Sequence, residues 1–117
     1  MVSYIPKRGD IIWMNFDPQS GHEQAGRRPA LVLSAHEYNE ILGLAQVCPI
    51  TSKTKGYPFE VQLPEDLKIN GVVLSDQAKS IDWKARETSF IDECPVSTLT
   101  EVLSKLLVVI DPDELLL

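Results

Sequence analysis

Apolar and polar positions along the chain change rhythm several times, and the period of each stretch predicts its element. Gly9-Asp10 opens a run rich in β-branched and aromatic residues, IIWMNF, that ends at the turn signal Asp17-Pro18 and reads as a first strand. The ten residues QSGHEQAGRR carry two glycines and no apolar period, so they form a loop longer than strands usually need. PALVLS (29–34) is apolar on both faces and predicts a second strand, with a short helical turn over 35–41 ahead of Gly43. Residues 44–50 predict a third strand, and TSKTKG (51–56) a polar, basic loop. In FEVQL, Phe59, Val61 and Leu63 alternate with polar positions as a half-buried strand does. PEDLKIN (64–70) is a connector ending in an Asn70-Gly71 turn, and VVLS and AKSIDW predict two more short strands. About six short strands, separated by turns every ten residues or so, predict a small antiparallel barrel.

Near the C-terminus the period becomes helical. Leu99, Val102, Leu103, Leu106, Leu107 and Ile110 recur at i, i+3, i+4, i+7, and Thr98 with Glu101 has the spacing of a capping box. This predicts an amphipathic helix that closes the barrel and is stopped by Pro112. The tail Asp111–Leu117 is predicted to fray or to meet a partner subunit, with fraying preferred. The class expected is mainly β with appended helices.

At 117 residues the chain fits one domain, 1–117, with no internal repeat. No apolar stretch reaches the roughly 18 residues of a membrane span, and MVSYIPKRGDIIWMNF interrupts any signal-like block, so a cytoplasmic protein is expected. Cys48 and Cys94 have no CxxC or Cys/His context; they read as reduced structural thiols, with a single disulfide as the alternative. The formal charge of −6 is uneven: residues 1–86 hold ten Lys/Arg against ten Asp/Glu, residues 87–117 one lysine against seven acids. A balanced body leaves room for a basic face, for which Arg27, Arg28, Lys53, Lys55, Lys79, Lys84 and Arg86 are the candidates.

P-loop, GxSxG and HExxH signatures are absent, and no Cys/His cluster suggests a metal, so neither metal nor cofactor is expected. What remains is a set of polar groups at strand ends: His22, Glu23, Gln24, Arg27 and Arg28 in the first loop, Thr51, Ser52, Lys53 and Lys55 in the second. Guanidinium and hydroxyl donors together suit a phosphodiester, with Arg28 and Thr51 binding the phosphate and stabilising transition-state charge. RNA carries its own nucleophile, the 2′-hydroxyl, so a protein need only orient it, assist proton transfer and stabilise charge. The ordinary alternatives are a surface ion pair for Arg28 and a strand-end hydroxyl for Thr51. Trp83, beside Lys84 and Arg86, is the candidate for stacking on a base, whereas Trp13 reads as core or interface.

Three collinear blocks, GDIIWMNFDPQSGHEQAGRRPALVLS, CPITSKTKGYPFEV and GVVLSDQAKSIDW, resemble the signature blocks of the MazF/PemK toxins, the endoribonucleases of bacterial toxin–antitoxin pairs. The resemblance runs from Gly9 to about Ile110. It implies an SH3-like barrel, a homodimer, an antitoxin partner through which any DNA contact would run, and metal-independent cutting of single-stranded RNA to 2′,3′-cyclic phosphate and 5′-hydroxyl ends. The family's catalytic arginine falls on Arg28 and its threonine on Thr51, while Glu23 and Gln24 match the first-loop motif. Because a guanidinium stays protonated, Glu23 or His22 is the physical alternative as base. Two rivals remain open: a non-enzymatic module of the same fold, such as the gyrase-poisoning CcdB toxins, and an inactive RNA-binding relative.

Overall fold

A computed structural model describes residues 4–15 and 26–116. In chain order its elements are β1 (Asp10–Asn15), β2 (Arg27–Val32), α1 (His36–Leu42), β3 (Leu44–Thr51), β4 (Glu60–Gln62), β5 (Val72–Leu74), β6 (Lys79–Asp82), β7 (Ser89–Glu93) and α2 (Val96–Ile110). All pairings are antiparallel, in the order β4-β5-β3-β2-β1-β7, and β6 pairs with β3. Strand β3 is the hinge of the sheet: residues 44–47 pair with β6 and residues 50–51 with β5.

Strict alternation on the central strands builds a core on each face of this sheet. Ile11, Leu31, Leu33, Cys48 and Ile50 point into one cluster; Ile12, Met14, Ala30, Val32 and Val47 point into the other. The first cluster is completed by α2, whose Val102 is fully buried and whose Leu99, Leu103 and Leu106 pack beside it. Val61 of β4 and Ile91 of β7 meet in the same cluster, so α2 covers the gap between the two edge strands and the sheet is barrel-like without a closed ladder among the described residues. The Lys105 ammonium fastens the helix to β4 by donating to the carbonyls of Pro58 (2.6 Å) and Glu60 (3.3 Å).

The structure departs from the predicted pattern in three places. A seventh strand, β7, pairs with β1 through a register shift that leaves Ile91 as the extra residue and turns it into the core. Helix α2 begins at Val96 with Pro95 as its N-cap and no side-chain cap, so Thr98 lies buried inside the helix and the predicted Thr98/Glu101 capping box does not form. Proline's fixed φ of −58° already suits a helix entry. The described part of the tail is turned back on the helix end, where fraying was expected: the buried Asp111 carboxylate accepts the N–H groups of Leu115 (2.6 Å) and Leu116 (2.9 Å). The helical turn predicted over 35–41 is α1, ended by Gly43 at φ 70°. Both cysteines are free and buried, with burial pushing the Cys48 thiol up to about 12 and the Cys94 thiol up to about 11.

Candidate active site

Strand β2 begins on the two arginines and β3 ends on Thr51. The β2–β3 register runs Ala30↔Pro49, Leu31↔Cys48; continued outward by two residues it sets Arg28 across from Thr51. Both line one cavity of about 410 Å³, with Ser52, Trp13 and Pro29. The rest of its wall comes from elsewhere in the chain: Lys68, Ile69 and Asn70 of the β4–β5 connector. Among the described residues its charged lining is two cations, Arg28 and Lys68, with no carboxylate.

The adjacent arginines have different surroundings, as strand alternation requires. Arg27 donates to Asn15 Oδ1 (3.0 Å) and Ser89 Oγ (2.9 Å), and Asn15 in turn donates to Glu87 Oε1 (3.0 Å). Its guanidinium therefore ties β2 to β1 and β7 and does not stand free for a ligand. Arg28 is exposed and makes no hydrogen bond or ion pair among the described residues. A guanidinium with no partner or acid near it among the described residues has its donors open to an anion.

Thr51 is set by backbone contacts. Its Oγ1 accepts the N–H of Lys53 at 3.1 Å, which leaves the hydroxyl proton to be donated elsewhere. Its carbonyl is approached so closely by Gly71 that a Cβ at residue 71 would stand 2.4 Å from the oxygen. Gly71, at φ 132°, is thus required where β5 meets the end of β3. The following loop is shaped by Glu60, whose carboxylate accepts from the Thr54 hydroxyl (2.7 Å) and from the N–H groups of Lys55 (2.8 Å) and Gly56 (3.0 Å). Those bonds, the Thr54 hydroxyl first, hold Glu60 below the usual carboxylate range. Lys53 and Lys55 are exposed on this loop and do not line the cavity.

The remaining basic candidates are not among the residues that line the cavity. Arg86 donates to the Asn15 carbonyl (3.1 Å), and Lys79 on β6 is held below its ordinary value by burial and then by Arg86. Trp83 does not stand ready to stack on a base: it is 6% exposed, packs in the second core cluster and donates its indole N–H to the Asn39 carbonyl at 2.8 Å. Lys84 lies over its ring at 5.8 Å. The aromatic that reaches the cavity is Trp13, which the sequence suggested as core or interface. His22, Glu23 and Gln24 lie outside the described residues. The sequence reading missed Lys68, Ile69 and Asn70, whose one visible sign was the Asn70-Gly71 turn.

A barrel-like antiparallel sheet with a covering helix and a cationic cavity at the β2 and β3 ends suits a small protein of the nuclease type. Residues 7–110 match the family described as PemK-like, MazF-like toxin of type II toxin-antitoxin system, and the chain belongs to that family. It is 54% identical over 87 residues to the endoribonuclease toxin MazF of Escherichia coli strain K12, covering 74% of this chain and 78% of that protein. It is 34% identical over 105 residues to the Escherichia coli endoribonuclease PemK, covering 86% of this chain and 78% of that protein. Among solved structures, MazF from Deinococcus radiodurans superposes with a TM-score of 0.86 at 52% identity over 92% of this chain and 98% of that one. MazF in a MazE–MazF crystal from the same organism gives 0.87 at 52% identity, over 92% and 97% of the two chains.

Proposed function

We propose that the protein is a toxin endoribonuclease that cuts single-stranded RNA at the Arg28–Thr51 cavity and is restrained by a cognate antitoxin. The observation that carries the site is the Arg28 guanidinium, unpartnered among the described residues, sharing with the Thr51 hydroxyl a cavity in which no described residue is acidic. In this reading Arg28 binds the scissile phosphate and stabilises the charge that grows on its oxygens, and Thr51 donates one further hydrogen bond. The ribose 2′-oxygen attacks the adjacent phosphorus, the P–O5′ bond breaks, and the products are a 2′,3′-cyclic phosphate and a 5′-hydroxyl. One proton leaves the 2′-hydroxyl and one arrives on O5′. Arg28 cannot remove the first, since a guanidinium stays protonated; Glu23 or His22 is proposed for that task. The internal nucleophile and the two cavity cations supply what a metal would otherwise provide, so cleavage is proposed to be metal-independent.

Relatives of the same fold have been crystallised with MazE, and an antitoxin for this chain is proposed as an acidic segment that competes with RNA for the cationic cavity. A homodimer is supported by exposed apolar side chains on α1, Ile41 and Leu42, and at the end of α2, Val108 and Ile110. Among the described residues no helix is long and apolar enough to cross a membrane, and a cytoplasmic setting is proposed to match the RNA substrate. Incubating the purified protein with a long mixed-sequence RNA in EDTA tests the chemistry. Cuts at discrete sites bearing 5′-hydroxyl ends are expected. Intact RNA would overturn it and favour a binding module of the same fold, whereas ends bearing a 5′-phosphate would overturn attack by the 2′-hydroxyl.

A further inference from the structure

The β4–β5 connector forms one wall of the cavity, and three features make that wall rigid. Leu67 and Ile69 pack against the first core cluster. The Lys68 N–H donates to Asp92 Oδ2 at 2.9 Å, a bond that leads in holding the Asp92 carboxylate below its usual range. The Gly71 carbonyl accepts from the Leu63 N–H and from Gln62 Nε2, each at 3.0 Å. On this frame the Lys68 and Asn70 side chains are exposed, and both residues line the cavity that holds Arg28 and Thr51. The Asn70 carboxamide, with two donor hydrogens and an acceptor oxygen, has no hydrogen-bond partner among the described residues. The Lys68 ammonium forms no ion pair there, although Asp92 lies close enough to feel its charge.

About 410 Å³ is within the roughly 300–1,000 Å³ of small-ligand pockets, enough for a nucleotide beside its phosphate. Trp13 and Ile69 offer apolar surface for the face of a base, and single-stranded RNA is read at unstacked bases through stacking and hydrogen bonds to their edges. A carboxamide fixes a donor beside an acceptor, so its match depends on which base is presented, whereas an ammonium senses charge alone. We propose that Asn70 is a base-reading residue that sets the preference for a nucleotide flanking the scissile phosphate, and that Lys68 contacts a neighbouring phosphate without reading sequence. This rests on the RNA-cleaving reading of the same cavity.

The test is cleavage of a randomised RNA pool with all cut ends sequenced, for wild type, Asn70→Ala, Asn70→Asp and Lys68→Ala across a salt series. Asn70→Ala is expected to flatten the base preference at one position and to slow cutting of the preferred sequence by on the order of 10-fold to 100-fold. Asn70→Asp keeps the side-chain shape while removing the donors, and is expected to shift the preference at that same position. Lys68→Ala should slow all sequences alike and lower the slope of log affinity against log salt by about 0.7. An unchanged profile in both Asn70 variants, or a reshaped profile in Lys68→Ala, overturns the assignment while leaving the nuclease intact. Wild-type protein that leaves the pool uncut overturns the nuclease reading and this one with it.

Discussion

Gly71→Ala is a one-carbon change whose effect on the active site follows from the backbone. The added Cβ would stand 2.4 Å from the Thr51 carbonyl oxygen and 3.0 Å from its carbon, where real Cβ contacts stay beyond 3.0 Å. The end of β3 or the start of β5 must therefore move by at least 0.6 Å, the difference between 3.0 and 2.4 Å. Both obstructing atoms are backbone, so no side-chain rotation relieves the contact. Thr51 carries the proposed phosphate donor, and a displacement approaching 1 Å in a catalytic group costs about 10²-fold in rate. A φ of 132° at residue 71 adds strain of order 1–3 kcal/mol for an L side chain. Steady-state cleavage of a fluorogenic oligonucleotide should show kcat falling about 100-fold with KM changed far less. Gly43→Ala separates strain from displacement, because Gly43 also has a positive φ, 70°, yet its Cβ would meet nothing within 4 Å. That control should lose stability in thermal melts and keep its kcat. Wild-type kcat in a folded Gly71→Ala protein would refute the placement of Thr51 by Gly71.

Leu103→Ala, on the α2 face packed against the first cluster, should cost about 2 kcal/mol, near the low end for such truncations because Leu103 is only partly buried; urea unfolding with an unchanged midpoint would remove α2 from the core. Glu60 has a lowered folded pKa, so its contribution to loop order is complete above the ordinary glutamate value of roughly 4.3 and is lost as pH falls below that through the folded value. Amide shifts of Lys55 and Gly56 should titrate together with a midpoint below that value, and a midpoint at or above it refutes the clamp. Cys48 and Cys94, buried with raised pKa values, should resist a thiol-specific dye until the protein is unfolded; fast labelling of the native state would contradict their placement.

Local pattern sufficed where local pattern decides. The alternation in β1, β2 and β3, the short α1 before Gly43 and the apolar stripe of α2 were all visible as spacing. Strand β7 escaped because SFIDE buries only Ile91 and reads as a polar stretch, its pairing with β1 being long-range. Thr98 and Glu101 had capping-box spacing, but Pro95 begins the helix one turn earlier. Trp83 has no stacking role for a tertiary reason: the Asn39 carbonyl, 44 residues away, takes its indole N–H, while Trp13 packs against the first core cluster as expected and also lines the cavity beside Arg28. The fate of Arg27 likewise depends on Asn15 and Ser89, which only the assembled sheet brings to it. Arg28 and Thr51 were marked by residue type, and the antiparallel pairing of β2 with β3 brings both to one cavity. The third wall of the cavity had no local signature, since Lys68 and Asn70 reach it through the pairing of β5 with β3.

The central claim is that Arg28 does the electrostatic work of RNA cleavage, and its most direct test is the cleavage rate of one RNA by wild-type and Arg28→Ala protein side by side. Arg28 is exposed and bonded to none of the described residues, so its removal should leave the melting temperature close to that of wild type. Loss of one preorganised donor should slow cleavage by roughly 10²–10³-fold. An Arg28→Ala protein that cuts at near the wild-type rate would contradict the account.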